Sequence, residues 1–139
     1  MENLKFNLKF YGILFLIGAL GYGLLEVIWR GYTHPSMSLA GGISLCFLAL
    51  IQKYLKPLRF IYRCLAGGAF ITAIELLFGY IFNMVLGLGV WDYSPLPFNF
   101  LGQISLLYFV IWCFISAPML IFTDLLRQKL NSIKANDES

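Results

Sequence analysis

Charge is what this chain lacks most. Only 12% of its 139 residues are Asp, Glu, Lys or Arg, about half the roughly 25% of an ordinary soluble domain. So little charge cannot cover a water-soluble globule. It also excludes a disordered chain and a basic nucleic-acid-binding module. Histidine occurs once, at His34. The three cysteines, Cys46, Cys64 and Cys113, are scattered through apolar runs without CxxC or other ligand spacing, so they read as small buried hydrophobes and not as a zinc site or disulfide framework. There is no GxSxG elbow, no Walker A loop, no dinucleotide fingerprint and no HExxH pair, so no catalytic residue and no cofactor is expected. Nothing resembles a soluble domain or a low-complexity segment.

Apolar residues are there in excess. They make up 60% of the chain, with 17% aromatic and a mean hydropathy of +0.78. A membrane-spanning helix needs about 20 apolar residues, and four such runs can be read, over residues 10–29, 37–54, 60–88 and 100–125, with a polar tail over 127–139. The expected fold is all-α: a single transmembrane domain, a bundle of four helices in a cell membrane. The first run is longer than the roughly 7–15 residues of a signal-peptide core and lacks a following A-x-A-like site, so it reads as an anchored helix. The third run exceeds the bilayer thickness, and Gly79 and Gly87 are places for it to bend. Pro118 is a candidate kink in the fourth.

Four spans put both termini on one side. Lys5, Lys9, Lys53, Lys56, Arg59, Arg63, Arg127, Lys129 and Lys134 fall on that side and only Arg30 on the other. The positive-inside rule therefore predicts cytoplasmic termini and outward-facing connections at 30–36 and 89–99. Tyr11, Trp29, Tyr32, Tyr54, Tyr62, Trp91 and Tyr93 lie near span ends, as an interfacial aromatic belt would. Small residues cluster at Gly18, Gly21 and Gly23, at Ala40–Gly42 and at Ala66–Ala69. They allow close helix packing in lipid or line a ligand cavity.

Ionisable groups inside a span are costly unless paired or hydrated. Glu26 sits one turn from the outer end of the first run, and Arg30 follows at i+4 on the same face. Glu75 lies near mid-span, with Asn83 two turns on along its face and no Lys or Arg nearby in its own run. Its partner must come from another helix, from water or from a proton. In the outer connections, His34 reads as a loop hydrogen-bonder, Asp92 as the start of an Asx turn to Ser94, and Asn99 as a cap for the fourth helix. Glu26, Arg30, His34, Glu75, Asn83, Trp91, Asp92, Asn99 and Gln103 form the candidate ligand-binding set. All lie in the outer half, and the cytoplasmic half is expected to carry no comparable mixed set. Metal binding by Glu26, His34, Glu75 and Asp92 stays open, without any supporting spacing.

Several strings carry a resemblance. They are Gly23-Leu24-Leu25-Glu26 continuing through Arg30 and His34 to Met37, Ala40–Gly42, Thr72–Glu75 with Gly79 and Asn83, and Val90-Trp91-Asp92-Tyr93-Ser94 through Asn99 to Gly102-Gln103. They resemble the family titled Putative ABC-transporter type IV, or CmpB-like, which looks related to the eukaryotic transmembrane protein 229 group. The resemblance implies a small polytopic membrane protein and assigns no catalytic residue.

Three classes of function fit. The leading expectation is a transport-associated membrane subunit with an outward-facing polar pocket, centred on Glu26 and Glu75, for a small solute or cation. It would need a homo-oligomer or other transporter subunits, because four helices enclose little and no ATPase motif is present. A structural or regulatory membrane partner is the second. A membrane-embedded enzyme acting on lipid-linked substrates is the third. Membrane lipid is the expected surrounding partner, and nucleic acid is not expected.

Overall fold

The computed structural model describes residues 4–138. Helix α1 spans Leu4–Arg30, α2 Pro35–Tyr54, α3 Phe60–Phe78 and α4 Leu106–Glu138. A π-helical segment, Gly79–Val85, extends α3. All four helices are long and apolar enough to cross a membrane. At about 1.5 Å per residue, the 27 residues of α1 extend to roughly 40 Å, beyond a hydrocarbon core of about 30 Å.

Local sequence sets the helix ends. Pro35 occupies the first turn of α2, where its missing N–H costs nothing. His34 adopts an extended cap conformation and accepts from the Ser36 amide. The helical path from α3 stops at Val85, short of residue 88, because Gly87 and Gly89 both take positive φ. Helix α4 begins at Leu106 and not at residue 100. A short antiparallel ladder pairs strand β1, Asn99–Phe100, with β2, Ile104–Ser105. Between them Leu101 and Gly102 have positive φ, incompatible with helix. The cap of α4 is Ser105, whose hydroxyl accepts from the Tyr108 amide at 3.2 Å; the expected cap, Asn99, is used inside the loop.

Two helical hairpins make the bundle, α1 with α2 and α3 with α4, and α2 joins them through contacts with α3 and α4. Glycine permits both close approaches. A methyl on Gly41 would lie 2.6 Å from Tyr22 Cβ and 2.7 Å from the Gly18 carbonyl. One on Gly67 would lie 2.5 Å from the Ser116 hydroxyl, and Gly68 packs directly on Cys113. Gly21 differs: a Cβ there would meet nothing within 4 Å.

Two apolar clusters sit at different depths. Phe10, Leu14, Leu45, Leu48 and Leu120 fill the end nearer the chain termini, hereafter the inner end. Met37, Phe78, Val90 and Trp91 fill the other, outer end. The inner end also holds a polar knot that the sequence reading did not expect. Asp124 accepts from Gln52 at 2.6 Å and from Lys56 at 2.8 Å, and Arg63 donates to the Gln52 carbonyl. The expectation that this half lacks a mixed polar set is corrected by these bonds, which tie α2, α3 and α4 together. They join residues up to 72 positions apart, so no local pattern announced them.

Candidate functional site

The mid-span position of Glu75 is the anomaly from which the site is built. Its residue is 7% exposed, and water cannot solvate a carboxylate there. Two side chains from other elements do so instead. Tyr93 of the outer loop donates its hydroxyl to Oε2 at 2.6 Å, and Trp112 of α4 donates Nε1–H to Oε1 at 2.7 Å. Such bonds to a carboxylate are among the stronger protein hydrogen bonds. Aromatic contacts fix both donors. Tyr93 stacks on Tyr108 at 4.6 Å between ring centroids, and Trp112 meets Tyr22 of α1 edge-to-face at 6.1 Å. No Lys or Arg among the described residues bonds Glu75.

Glu26 has its own cation. Arg30 Nε lies 2.6 Å from Glu26 Oε2 one turn along α1. Arg30 Nη1 also donates to the Val90 carbonyl at 2.9 Å, so the pair pins the outer loop to α1. Asn83, in the π-helical segment, does the same from α3. Its Oδ1 accepts from the Val90 amide at 2.6 Å and its Nδ2 donates to Gln103 Oε1 at 2.8 Å. Gln103 in turn accepts the Trp91 indole N–H on its carbonyl at 3.0 Å. Gly79 makes room for this: a Cβ there would lie 2.5 Å from Gln103 Oε1.

The remaining candidates act locally. His34 Nδ1 and the Ser36 hydroxyl are 2.7 Å apart at the start of α2. Asp92 is exposed and accepts from the Ser94 amide at 2.9 Å. The side chain and backbone of Ser94 hold its carboxyl below the usual range. Asn99 donates to the Leu96 carbonyl at 2.8 Å and accepts from the Gly102 amide at 3.1 Å, knitting the loop into a unit. Among the described residues, no three His, Cys, Asp or Glu side chains gather as a metal-holding group.

A cavity of about 480 Å³ lies among the four helices. Ile17 and Gly21 of α1, Ala40 of α2, Ile74 of α3, and Ile115 and Met119 of α4 contribute to its wall. Of the nine candidate residues, Glu75 and Trp91 line it. The other seven lie outside that wall, bonded to one another or within the outer loops. The structure thus separates an apolar chamber, with Glu75 in its wall, from the polar layer that holds the loop.

Tyr22 and Trp112 were not among the candidates. Trp112 did leave a signal. It lies seven residues inside the fourth apolar run as the structure bounds it, too deep for a belt position, and a buried indole N–H needs a partner. Tyr22 left none beyond its place among the small residues of α1.

No curated protein and no solved structure matches this chain. The profile of the family described as Putative ABC-transporter type IV matches residues 38–136. That range contains most of α2, all of α3 and the outer loop, and nearly all of α4, and leaves Glu26, Arg30 and His34 outside it. With most of its length matched, the chain belongs to the Putative ABC-transporter type IV family of membrane proteins.

Proposed function

We propose that this protein is a transport-associated membrane subunit whose intramembrane cavity holds a small ligand against Glu75. Family membership supports the transport association. The observation that carries the ligand site is a buried carboxylate in the wall of a 480 Å³ cavity with only neutral donors bonded to it. Small-molecule sites have volumes of roughly 300–1,000 Å³ and few, well-placed polar groups. An intramembrane ionisable residue without a paired charge is a functional-site candidate by its cost alone. In this reading the Glu26–Arg30 and Asn83–Gln103 pairs hold the outer loop, and through Tyr93 and Trp91 they fix one side of the cavity.

The nine cations at the inner end orient the protein with both termini and the α2–α3 connection in the cytoplasm. No nucleotide-binding motif is present in this sequence, so coupling to ATP requires a separate ATPase subunit. The second reading, a structural or regulatory partner, draws support from the internal bonding of most outer-half polar groups.

Ligand-induced thermal stabilisation separates the two. The purified protein in lipid nanodiscs is scanned against amino acids, inorganic ions and organic cations. A ligand at about 100 times its Kd stabilises by about 2.7 kcal/mol. A compound that raises the melting temperature of the wild type but not of Glu75→Gln supports the ligand site. Absence of any stabiliser, or equal stabilisation of both proteins, contradicts it.

A further inference from the structure

We infer that the ligand is a lipophilic organic cation that reaches Glu75 sideways from the bilayer, through a window between α1 and α4. The inference rests on the reading of the cavity as a ligand site and adds the ligand's chemistry and its route.

The route follows from what closes the chamber. Toward the outer face, Met37, Phe78, Val90 and Trp91 pack into a buried apolar cluster. Toward the inner face, Phe10, Leu14, Leu45, Leu48 and Leu120 do the same. Buried apolar side chains thus pack at both ends of the chamber. The helices pack chiefly as α1 on α2 and α3 on α4, while α1 and α4 touch sparsely. Side chains bridge α1 and α4 at two levels. Tyr22 meets Trp112 toward the outer end. Arg127 lies over Phe10, 4.2 Å from its ring centroid, and donates to the Tyr11 hydroxyl at 3.2 Å at the inner end. Between these levels the cavity wall includes Ile17, Gly18 and Gly21 of α1 and Ile115, Met119 and Phe122 of α4. Gly21 is exposed, and a Cβ on it would touch nothing within 4 Å. A glycine with open space beside it is not there for close packing, unlike Gly18 or Gly41. It leaves a gap on the lipid-facing side of the chamber.

The chemistry follows from the wall. Glu75 is its carboxylate, and the groups bonded to it are the neutral Tyr93 hydroxyl and Trp112 indole. Arg30 is not part of that wall: its Nε pairs with Glu26 and its Nη1 bonds the Val90 carbonyl. Tyr22, Phe78, Trp91 and Trp112 line the same cavity. Aromatic rings around a desolvated site attract ammonium-type cations through their quadrupoles, Trp most strongly. An anion would meet repulsion here. A bare metal ion would lack the oxygen ligands it needs. A cation with a hydrocarbon body satisfies both halves of the wall: charge against Glu75 and the rings, apolar surface against Ile17, Ile74 and Met119. Such a molecule partitions into bilayers, so the window faces its source.

The test uses radiolabelled tetraphenylphosphonium with the full chain in lipid nanodiscs. Tetraphenylborate, of the same shape and opposite charge, is the control. After subtraction of the non-saturable uptake by empty nanodiscs, wild type is expected to bind the phosphonium saturably and to show no saturable binding of the borate. Glu75→Gln should weaken phosphonium binding by about tenfold or more. Gly21→Phe, which fills open space at the window, should also weaken it by about tenfold, with an unchanged melting temperature showing that the fold is intact. Gly21→Leu should fall between. Equal binding of the two ions overturns the cation assignment. Full binding by Gly21→Phe overturns the lateral route, and if Glu75→Gln then still loses binding, the ligand site itself stands. Unchanged binding in both variants removes the site and the route together.

Discussion

Asn83 is the residue through which the π-helical end of α3 holds the outer loop, and Asn83→Ala measures that hold. The substitution removes the acceptor of the Val90 amide at 2.6 Å and the donor to Gln103 Oε1 at 2.8 Å. It also removes a longer contact to the Trp91 amide at 3.4 Å. Val90 is 6% exposed and Gln103 also 6%, so neither orphaned group reaches water without the loop opening. Each buried group left without a partner costs about 1–3 kcal/mol. Two of them give about 2–6 kcal/mol, reduced toward the lower figure if the loop moves to admit water. Reversible unfolding in mixed micelles, followed by tryptophan fluorescence, reads this directly. The emission of Trp91, 8% exposed and bonded to the Gln103 carbonyl, should shift to the red before global unfolding, because its indole loses the backing of the loop. Asn83→Asp keeps the acceptor for Val90 but sets a carboxylate against Gln103 Oε1, so it should be destabilised too. A loss below about 0.5 kcal/mol for Asn83→Ala, the range of a surface substitution, would refute the claim that Asn83 fastens the loop.

Three further predictions follow from the same geometry. Gly41→Ala should destabilise by about 1–3 kcal/mol through overpacking against Tyr22 and Gly18, whereas Gly21→Ala should be neutral or stabilising by up to about 1 kcal/mol from helix propensity; the same micelle unfolding assay separates them, and equal effects would contradict the packing described. Asp92 is held below the usual carboxylate range by Ser94. Its folded value is depressed, so its contribution to the loop is present at neutral pH and is lost as pH falls through that lowered value; an NMR titration of the Asp92 carboxyl at or above the ordinary carboxylate value would contradict it. In intact cells, a membrane-impermeant maleimide should label Ser94→Cys from outside, whereas Ser132→Cys should need permeabilised cells; the opposite pattern reverses the orientation.

The sequence made much of the fold legible, because lipid imposes simple rules on long apolar runs. Four spanning helices, the close-packing role of Gly41 and Gly67, the Glu26–Arg30 pair and the Asx turn at Asp92 were all readable from composition, spacing or local residue chemistry. What escaped was tertiary. Glu75 announced itself by its cost, but its donors, Tyr93 and Trp112, lie 18 and 37 residues away, and no periodicity links a mid-span glutamate to an indole in another helix. The start of α4 was missed because residues 100–105 are apolar enough to read as helix, while positive φ at Leu101 and Gly102 commits them to a turn. The Gln52–Asp124–Lys56 knot was missed for the same reason as Trp112. The separation of the apolar chamber from the polar layer depends on which side of each helix faces inward, and a run apolar all round carries no such mark.

The central proposal is that Glu75 is a ligand-accessible carboxylate inside the bundle, and covalent labelling tests it most directly. Dicyclohexylcarbodiimide, which dissolves in the bilayer and modifies carboxyl groups there, should form an adduct on Glu75 and spare Glu26, whose carboxylate is held by Arg30. Mass spectrometry of the digested protein locates the adduct. Tetraphenylphosphonium should suppress it, and a water-soluble carbodiimide should not form it. An unlabelled Glu75, or labelling that the phosphonium leaves undiminished, would contradict the proposal.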